Sequence, residues 1–421
     1  MKKINLWIVL VSLFGMYGNA AEHKNKTELE PVPIPKYSFI DEEYNKIQVP
    51  GEDSTRLNRF FAKVDSFFNQ GVGRINILHI GGSHVQADMF SNQVRRNLDG
   101  INGEHQTPRG FIFPFSVAKT NNPTNYKVSY TGEWGRERNV QKVREKPLGV
   151  GGIAVYTSDP SARIEIDLNP DSFLRWEFDR LKLLGYVEGG GCRVTPVLFH
   201  NNDTIEGLLD LEDKTYVFDL PEKTYAFSMG FLQQDTTPHS FVVNGFITEK
   251  ETPGIVYHAI GVNGASVPSY LGCENFEKEL AILNPDLVIF GIGINDASSK
   301  DFTKDSFKTN YQSLFDIIRR VNPDCAFILI TNNDSFTRIA RRKYRVNRNG
   351  TIARKVFFEL AEEYQGGVWD LFTLMGGLSS MQKWQNAKLA RLDKVHFTRT
   401  GYLLIGDMFY NALLDYYKQL D

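Results

Sequence analysis

The sequence predicts an α/β protein, a doubly wound parallel sheet interrupted by a β-rich insertion, and three observations carry that prediction. Near the start of the folded chain a helical stripe, a compact strand and a second helical stretch follow one another. Between residues 104 and 253 the grammar changes to short alternating segments separated by turns rich in Gly, Asn and Pro. At Gly254 the alternation of strand and helix resumes and continues to the end.

The elements can be justified in order. From Asn58 to Phe68 apolar residues recur at Phe60, Phe61, Val64, Phe67 and Phe68, the spacing of one helix face. Arg74 to Ile80, RINILHI, reads as a buried strand that stops at Gly81-Gly82-Ser83, and the helical pattern returns from Val85 to Leu98. The Gly-Gly-Ser segment therefore lies in a strand-to-helix turn at the carboxyl end of a strand, where open α/β sheets place their chemistry. In the insertion ARIEIDL, FLRWEF, RVTPVLFH, TYVFDL and HSFVVNGFI read as strands of a β-sandwich. Then come IVYHAI, a helix-like NFEKELAIL, DLVIFGIGIND, a helix from Ser306 to Arg320 and the strand CAFILIT. A helix from Thr351 to Tyr364, the short strand VWDLF and an amphipathic stretch from Gly401 to Tyr417 complete five parallel-type strands.

Composition narrows the function. The 421 residues are 42% hydrophobic and 23% charged, so the chain folds, and 48 basic against 50 acidic side chains leave a net charge of −2. That balance offers no broad basic surface for a phosphate backbone, and nucleic acid is not expected as a partner. Cys192, Cys273 and Cys325 stand in no metal-ligand spacing and allow at most one disulfide. Whether Cys273 pairs with Cys325 is left open by the sequence.

Lys2 and Lys3, the apolar run from Leu6 to Phe14 and the small residues Gly18-Asn19-Ala20 have the order of a secretory signal with cleavage near Ala20. The run is shorter than the ~20 apolar residues that span a bilayer, and no later segment reads as a membrane span, so an integral membrane protein is not expected. The expected organisation is a signal peptide at 1–20, a leader at 21–54, an α/β domain at 55–103 and 254–421, and the inserted β-sandwich at 104–253. An exported protein, periplasmic or secreted, works where ATP and NADH are scarce. No phosphate-cradling glycine loop is evident, whereas hydrolysis requires only water and neither a metal nor an organic cofactor.

Ser83 follows two glycines, so an incoming carbonyl meets no Cβ on that side. A serine needs a base within hydrogen-bond reach, and the base needs an orienting acid. Of the eight histidines, only His396 has a carboxylate, Asp393, three residues earlier in a loop that leads into the last helix. That spacing lets Asp393 receive the Nδ1 hydrogen while Nε2 faces the serine. Backbone N–H groups beside glycines and a side-chain amide are natural oxyanion donors. GVNGAS and GIGIND follow the second and third α/β strands, placing Gly264 and Asn295 at the same sheet edge as Ser83.

Four blocks in this order, GGSH at Ser83, the glycine of GVNGAS, GxND at Asn295 and DxxH at Asp393 and His396, resemble the SGNH (GDSL-like) hydrolase superfamily. The resemblance covers residues 55 to 100 and 254 to 421. It implies a flavodoxin-like three-layer α/β/α fold with Ser83 as nucleophile, His396 as base and Asp393 as its orienter. The implied oxyanion donors are the N–H groups of Ser83 and Gly264 and the amide of Asn295, with Gly261 as the alternative glycine. Gly82 departs from the family's Gly-Asp-Ser, which removes a side chain that braces the turn. Exported esterases that deacetylate peptidoglycan and other polysaccharides are similar in joining such a domain to a β-sandwich or jelly-roll module. The resemblance thus implies an esterase removing O-acetyl groups from an acylated polysaccharide. Competing readings are a lipid-ester or thioester hydrolase of the same fold, an acyl transferase, and an inactive glycan-binding protein. Trp134, Tyr156, Trp176 and Tyr186 are either sugar-stacking or core aromatics. Gln86, Asp88, Asn263 and Asn333 either contact substrate or make loop hydrogen bonds.

Overall fold

The computed structural model describes residues 29–102, 106–172, 175–190, 193–200, 203–341 and 343–420. The expected signal peptide, the first residues of the leader and Cys192 lie outside the described residues.

The central sheet has six strands: β1 (Ile47–Gln48), β2 (Arg74–Gly81), β3 (Gly254–Gly261), β4 (Leu287–Gly291), β5 (Ala326–Ile330) and β6 (Gly367–Trp369). Their order is β1-β6-β5-β4-β2-β3, with β1 antiparallel to β6 and the other five parallel. Counting the parallel strands along the chain gives the order 2-1-3-4-5, the flavodoxin-like winding. In such a sheet the crevice opens where the winding reverses, here between β2 and β4, and the chain leaves β2 straight into Gly82-Ser83.

The strands are almost continuously apolar because both faces are covered. On one face α1 (Thr55–Gln70), α3 (Phe90–Asn102) and the terminal helix Arg399–Gln419 pack on Ile75, Ile77, Ile289 and Ile328. The opposite face, with Leu78, Ile80, Phe290 and Leu329, is covered by Val267–Leu271, Phe276–Leu283, Lys304–Val321 and Asn349–Glu363. The α1 stripe of Phe60, Phe61, Val64, Phe67 and Phe68 is buried as its spacing requires, and Gly71 ends the helix in the left-handed conformation at φ 63°.

Three local readings are corrected. The stretch Val85–Leu98 is two helices, α2 (Ser83–Gln86) and α3, broken at Asp88. Asp88 takes φ +47° and turns its carboxylate into a buried cluster with Arg95, Arg109, Asn125 and Ser91. FLRWEF is not a strand over its described part: pairing begins at Phe178, and Trp176 is buried beside the guanidinium groups of Arg95 and Arg109. VWDLF is a strand only through Trp369, because Asp370 starts the helix Leu371–Leu374 by accepting the N–H of Thr373.

The insertion is built from antiparallel sheets of five and seven strands. It enters and leaves at one place, since Phe111–Ile112 pairs with Ile247 and Phe246 just before β3 begins. Its core, including Trp176, Phe178, Phe218 and Phe241, runs on into the core under Tyr270 and Phe276. Of the aromatics singled out, Trp176 is wholly buried, while Trp134, Tyr156 and Tyr186 are half-buried against the same core. Cys273 and Cys325 are buried free thiols, so they do not pair. No helix of the described residues is long and apolar enough to cross a membrane.

Candidate active site

Ser83 is the first residue of α2, at the mouth of the sheet crevice. Its Oγ lies 2.8 Å from Nε2 of His396, and Nδ1 of that ring lies 3.0 Å from Oδ2 of Asp393. A carboxylate accepts only, so Asp393 fixes the imidazole proton on Nδ1 and leaves Nε2 to accept from the serine hydroxyl. The other carboxylate oxygen, Oδ1, accepts the backbone N–H groups of Val395 and His396 at 2.9 Å each. Burial alone would raise the Asp393 carboxyl. The hydrogen bonds from the His396 ring and from those two N–H groups, with the imidazole's charge, outweigh it and hold the group well below the ordinary carboxylate range.

The loop that carries the pair is tight. Arg391 N–H donates to His396 O at 2.8 Å, Ala390 bridges Phe397, and Lys394 turns at φ +55°. Asn333 donates its amide to Val395 O at 3.1 Å, and Thr398 caps the terminal helix by accepting Gly401 N–H. Asn333 thus makes loop hydrogen bonds.

The groups that face Ser83 across the crevice are organised around the turn after β3. Gly264 sits at φ +85°, a conformation glycine adopts without strain, and its N–H has no protein acceptor among the described residues. Asn295, in the short helix Ile294–Ser298, donates one amide hydrogen to Ala265 O at 2.9 Å, which ties the Gly264 turn to β4 and leaves the second hydrogen free. Its neighbour Asp296 accepts Val267 N–H from the far side of the same turn, and burial pushes its carboxyl up to about 6. A Cβ on Gly82 would stand 3.3 Å from Asn295 Nδ2 and 3.4 Å from Ala265 O, so the turn is braced by close packing on these groups. Gly261 serves differently, since a Cβ there would lie 2.4 Å from Gln86 N, and its bare backbone is what admits α2.

Sequence reasoning missed what surrounds this cluster. His84 Nδ1 is 2.8 Å from Tyr402 OH, and its ring lies 5.2 Å from that of His396. Burial, and next the proximity of His396, push the His84 imidazole down to about 3, so it is neutral beside the relay. Behind it is a cavity of about 40 Å³ lined by Val85, Phe90, Asn332, Leu371 and Ile405 among others. The insertion also reaches the site: Gln86 donates to Thr120 Oγ1 and Asn121 O and accepts Asn263 N–H, while Asn263 donates to Asn121 Oδ1. Gln86 and Asn263 therefore make loop hydrogen bonds that fasten α2 to both domains. Nothing in the local sequence of Thr120-Asn121 marks that role.

Hydroxyl, imidazole and carboxylate in hydrogen-bonded series, facing N–H donors, form the arrangement that activates a serine toward an ester carbonyl. Residues 231–404 match the GDSL-like Lipase/Acylhydrolase family; the match begins in the insertion and leaves out the Ser83 block, which the fold brings to it. No curated protein matches the sequence. Among solved structures, a peptidoglycan O-acetylesterase superposes with TM-score 0.70 at 20% identity, covering 88% of this chain and 99% of that one. An acetyl xylan esterase (TM-score 0.31, 20% identity, 38% of this chain and 81% of that one) and a lipase/acylhydrolase from Enterococcus faecalis (TM-score 0.30, 23% identity, 39% and 78%) share a smaller part. The family match over residues 231–404 and the fold shared along most of the chain together support an ester hydrolase of the SGNH (GDSL-like) type.

Proposed function

We propose that the chain is an exported serine esterase that removes O-acetyl groups from a polysaccharide, with residues 55–103 and 254–421 as its hydrolase domain and 104–253 as an inserted module. The observation that carries the reading is the 2.8 Å and 3.0 Å series from Ser83 through His396 to Asp393. Ser83 Oγ attacks the ester carbonyl as its proton passes to His396 Nε2, and Asp393 stabilises the imidazolium. The oxyanion is held by the N–H groups of Ser83 and Gly264 and by Asn295. The protonated imidazole then gives its proton to the departing sugar hydroxyl. Water, deprotonated by the same nitrogen, releases acetate and restores the serine.

Export is supported by the charge and hydropathy of residues 1–20. The polysaccharide is supported by the fold shared with a peptidoglycan O-acetylesterase. Acetate release from O-acetylated peptidoglycan and from O-acetylated xylan, by the purified chain and by Ser83→Ala, tests the reading. Release that persists in the variant overturns the assignment of the nucleophile, and wild-type hydrolysis of an aryl acetate but of neither polymer overturns the substrate.

A further inference from the structure

Beside the site stands an element that packs on the core through Phe336 and is otherwise outside it. Phe336–Ala340 and Lys343–Val346 form a two-stranded antiparallel hairpin separate from every other sheet. Residues 336–348 carry six basic side chains and no acidic one in a chain whose net charge is −2. Arg338, Arg341, Lys343, Arg345 and Arg348 are all exposed, and among the described residues none of them is in an ion pair. Its root is fixed on both halves of the site. Phe336 N–H donates to Lys394 O at 3.1 Å, between Asp393 and His396, while Asn347 and Asn349 donate to Ala297 O at 3.1 and 2.9 Å, two residues from Asn295. The Lys394 ammonium lies over the rings of Phe336 and Tyr344 at 4.9 and 5.4 Å, and exposed Arg391 continues the same charge along the catalytic loop.

An isolated hairpin is marginal in water, and like charges on so short a ribbon repel one another. The element therefore lacks an internal source of stability that its charge could serve, and its fields point outward at the mouth of the site. We propose that this hairpin is a docking arm for a carboxylate-bearing glycan and that the physiological substrate is an acetylated acidic polysaccharide. The inference rests on the esterase reading and deepens it. Guanidinium forks match carboxylates in a bidentate way, and a polyanion presents them in series along its length. A membrane surface is the poorer occupant, because Ile339 is the hairpin's one large exposed apolar side chain and an interfacial segment needs an apolar face.

The test uses the full chain and the variant Arg341→Ala/Lys343→Ala/Arg345→Ala on O-acetylated peptidoglycan, acetylated pectin, acetylated neutral glucomannan and 4-nitrophenyl acetate. For the two acidic polymers kcat/KM is expected to fall about tenfold in the variant, through KM, with a flatter dependence on salt. The neutral polymer and the aryl ester should be hydrolysed as before. Co-sedimentation with de-O-acetylated acidic polymer reads the arm without catalysis, and the variant should lose most of the bound fraction. Undiminished turnover and binding of acidic polymers by the variant would overturn the proposal. So would hairpin-dependent binding to phosphatidylglycerol vesicles without binding to the acidic glycans. If the wild type fails on 4-nitrophenyl acetate, the esterase reading falls, and co-sedimentation alone decides the arm.

Discussion

Replacing Glu279 with glutamine probes the seam between the insertion and the hydrolase domain. Glu279 projects from the helix Phe276–Leu283 into the insertion, where it accepts Asn244 Nδ2 at 2.6 Å and Val150 N–H at 2.9 Å. The fit is close enough that a Cβ on Gly149 would come within 1.7 Å of Oε2. Burial raises the carboxyl from 4.5 to about 7, against the smaller opposing effects of those hydrogen bonds and of Lys278. A group raised on folding favours the native state while protonated. Its contribution is complete below 4.5 and is lost as the pH climbs through 7. At about 1.4 kcal/mol per unit, the wild type should lose about 3 kcal/mol across that window relative to a side chain that cannot ionise. Glutamine can be accommodated: Oε1 takes the Val150 N–H, and rotation of the Asn244 amide turns its unpartnered Oδ1 toward the new Nε2. Guanidinium unfolding of both proteins from pH 4.5 to 8, followed by tryptophan fluorescence and circular dichroism, reads the difference directly. The variant should match the wild type at the acid end and exceed it increasingly toward pH 8. A difference that stays flat across the range would refute the reasoning.

Asp393→Asn should lower kcat by ~10²–10⁴-fold with little change in melting temperature, because the amide no longer fixes the proton on Nδ1. Single-turnover measurement on an aryl acetate checks it, and since Asp393 stays ionised far into the acid range, loss of activity at mildly acid pH must come from another group. Asn295→Ala removes the proposed oxyanion donor and frees Ala265 O; kcat should fall by ~10²–10³-fold with KM nearly constant. Gly261→Ala drives a methyl against the backbone of Gln86 and Gly82, and should cost ~1–3 kcal/mol in a thermal melt and displace Ser83.

The fold was legible in the sequence where one periodicity held over many residues. The five parallel strands and the helices Thr55–Gln70, Lys304–Val321, Asn349–Glu363 and Arg399–Gln419 all stand where apolar spacing placed them. It was not legible where a single buried polar group overrides the pattern. Asp88 breaks a helix where Arg95, from the next helix, and Arg109, from the insertion, collect its carboxylate, and Asp370 ends a strand by capping a helix. Apolar periodicity carries no sign of either polar contact. The short edge strand Ile47–Gln48 has too few residues to show any period. At the site, the residues singled out in the loops after β2, β3 and β4 and in the Asp393–His396 loop do converge. His84 stands next to Ser83 in the chain, but its partner Tyr402, Thr120-Asn121 from the insertion and the basic hairpin come from segments whose sequence gives no sign of being near Ser83.

The position of the insertion sets the order in which the chain can assemble. The strand that delivers Ser83 has both sheet neighbours, β3 and β4, on the far side of some 170 intervening residues. Closing an unstructured loop of that length costs about 4.5 kcal/mol in chain entropy. The pairing of Phe111–Ile112 with Phe246 and Ile247 cancels most of that cost, because once the insertion has folded its two ends already lie side by side. The module between the halves of the α/β domain thus serves as the clasp that lets Ser83 and the loops that face it, far apart in synthesis, meet.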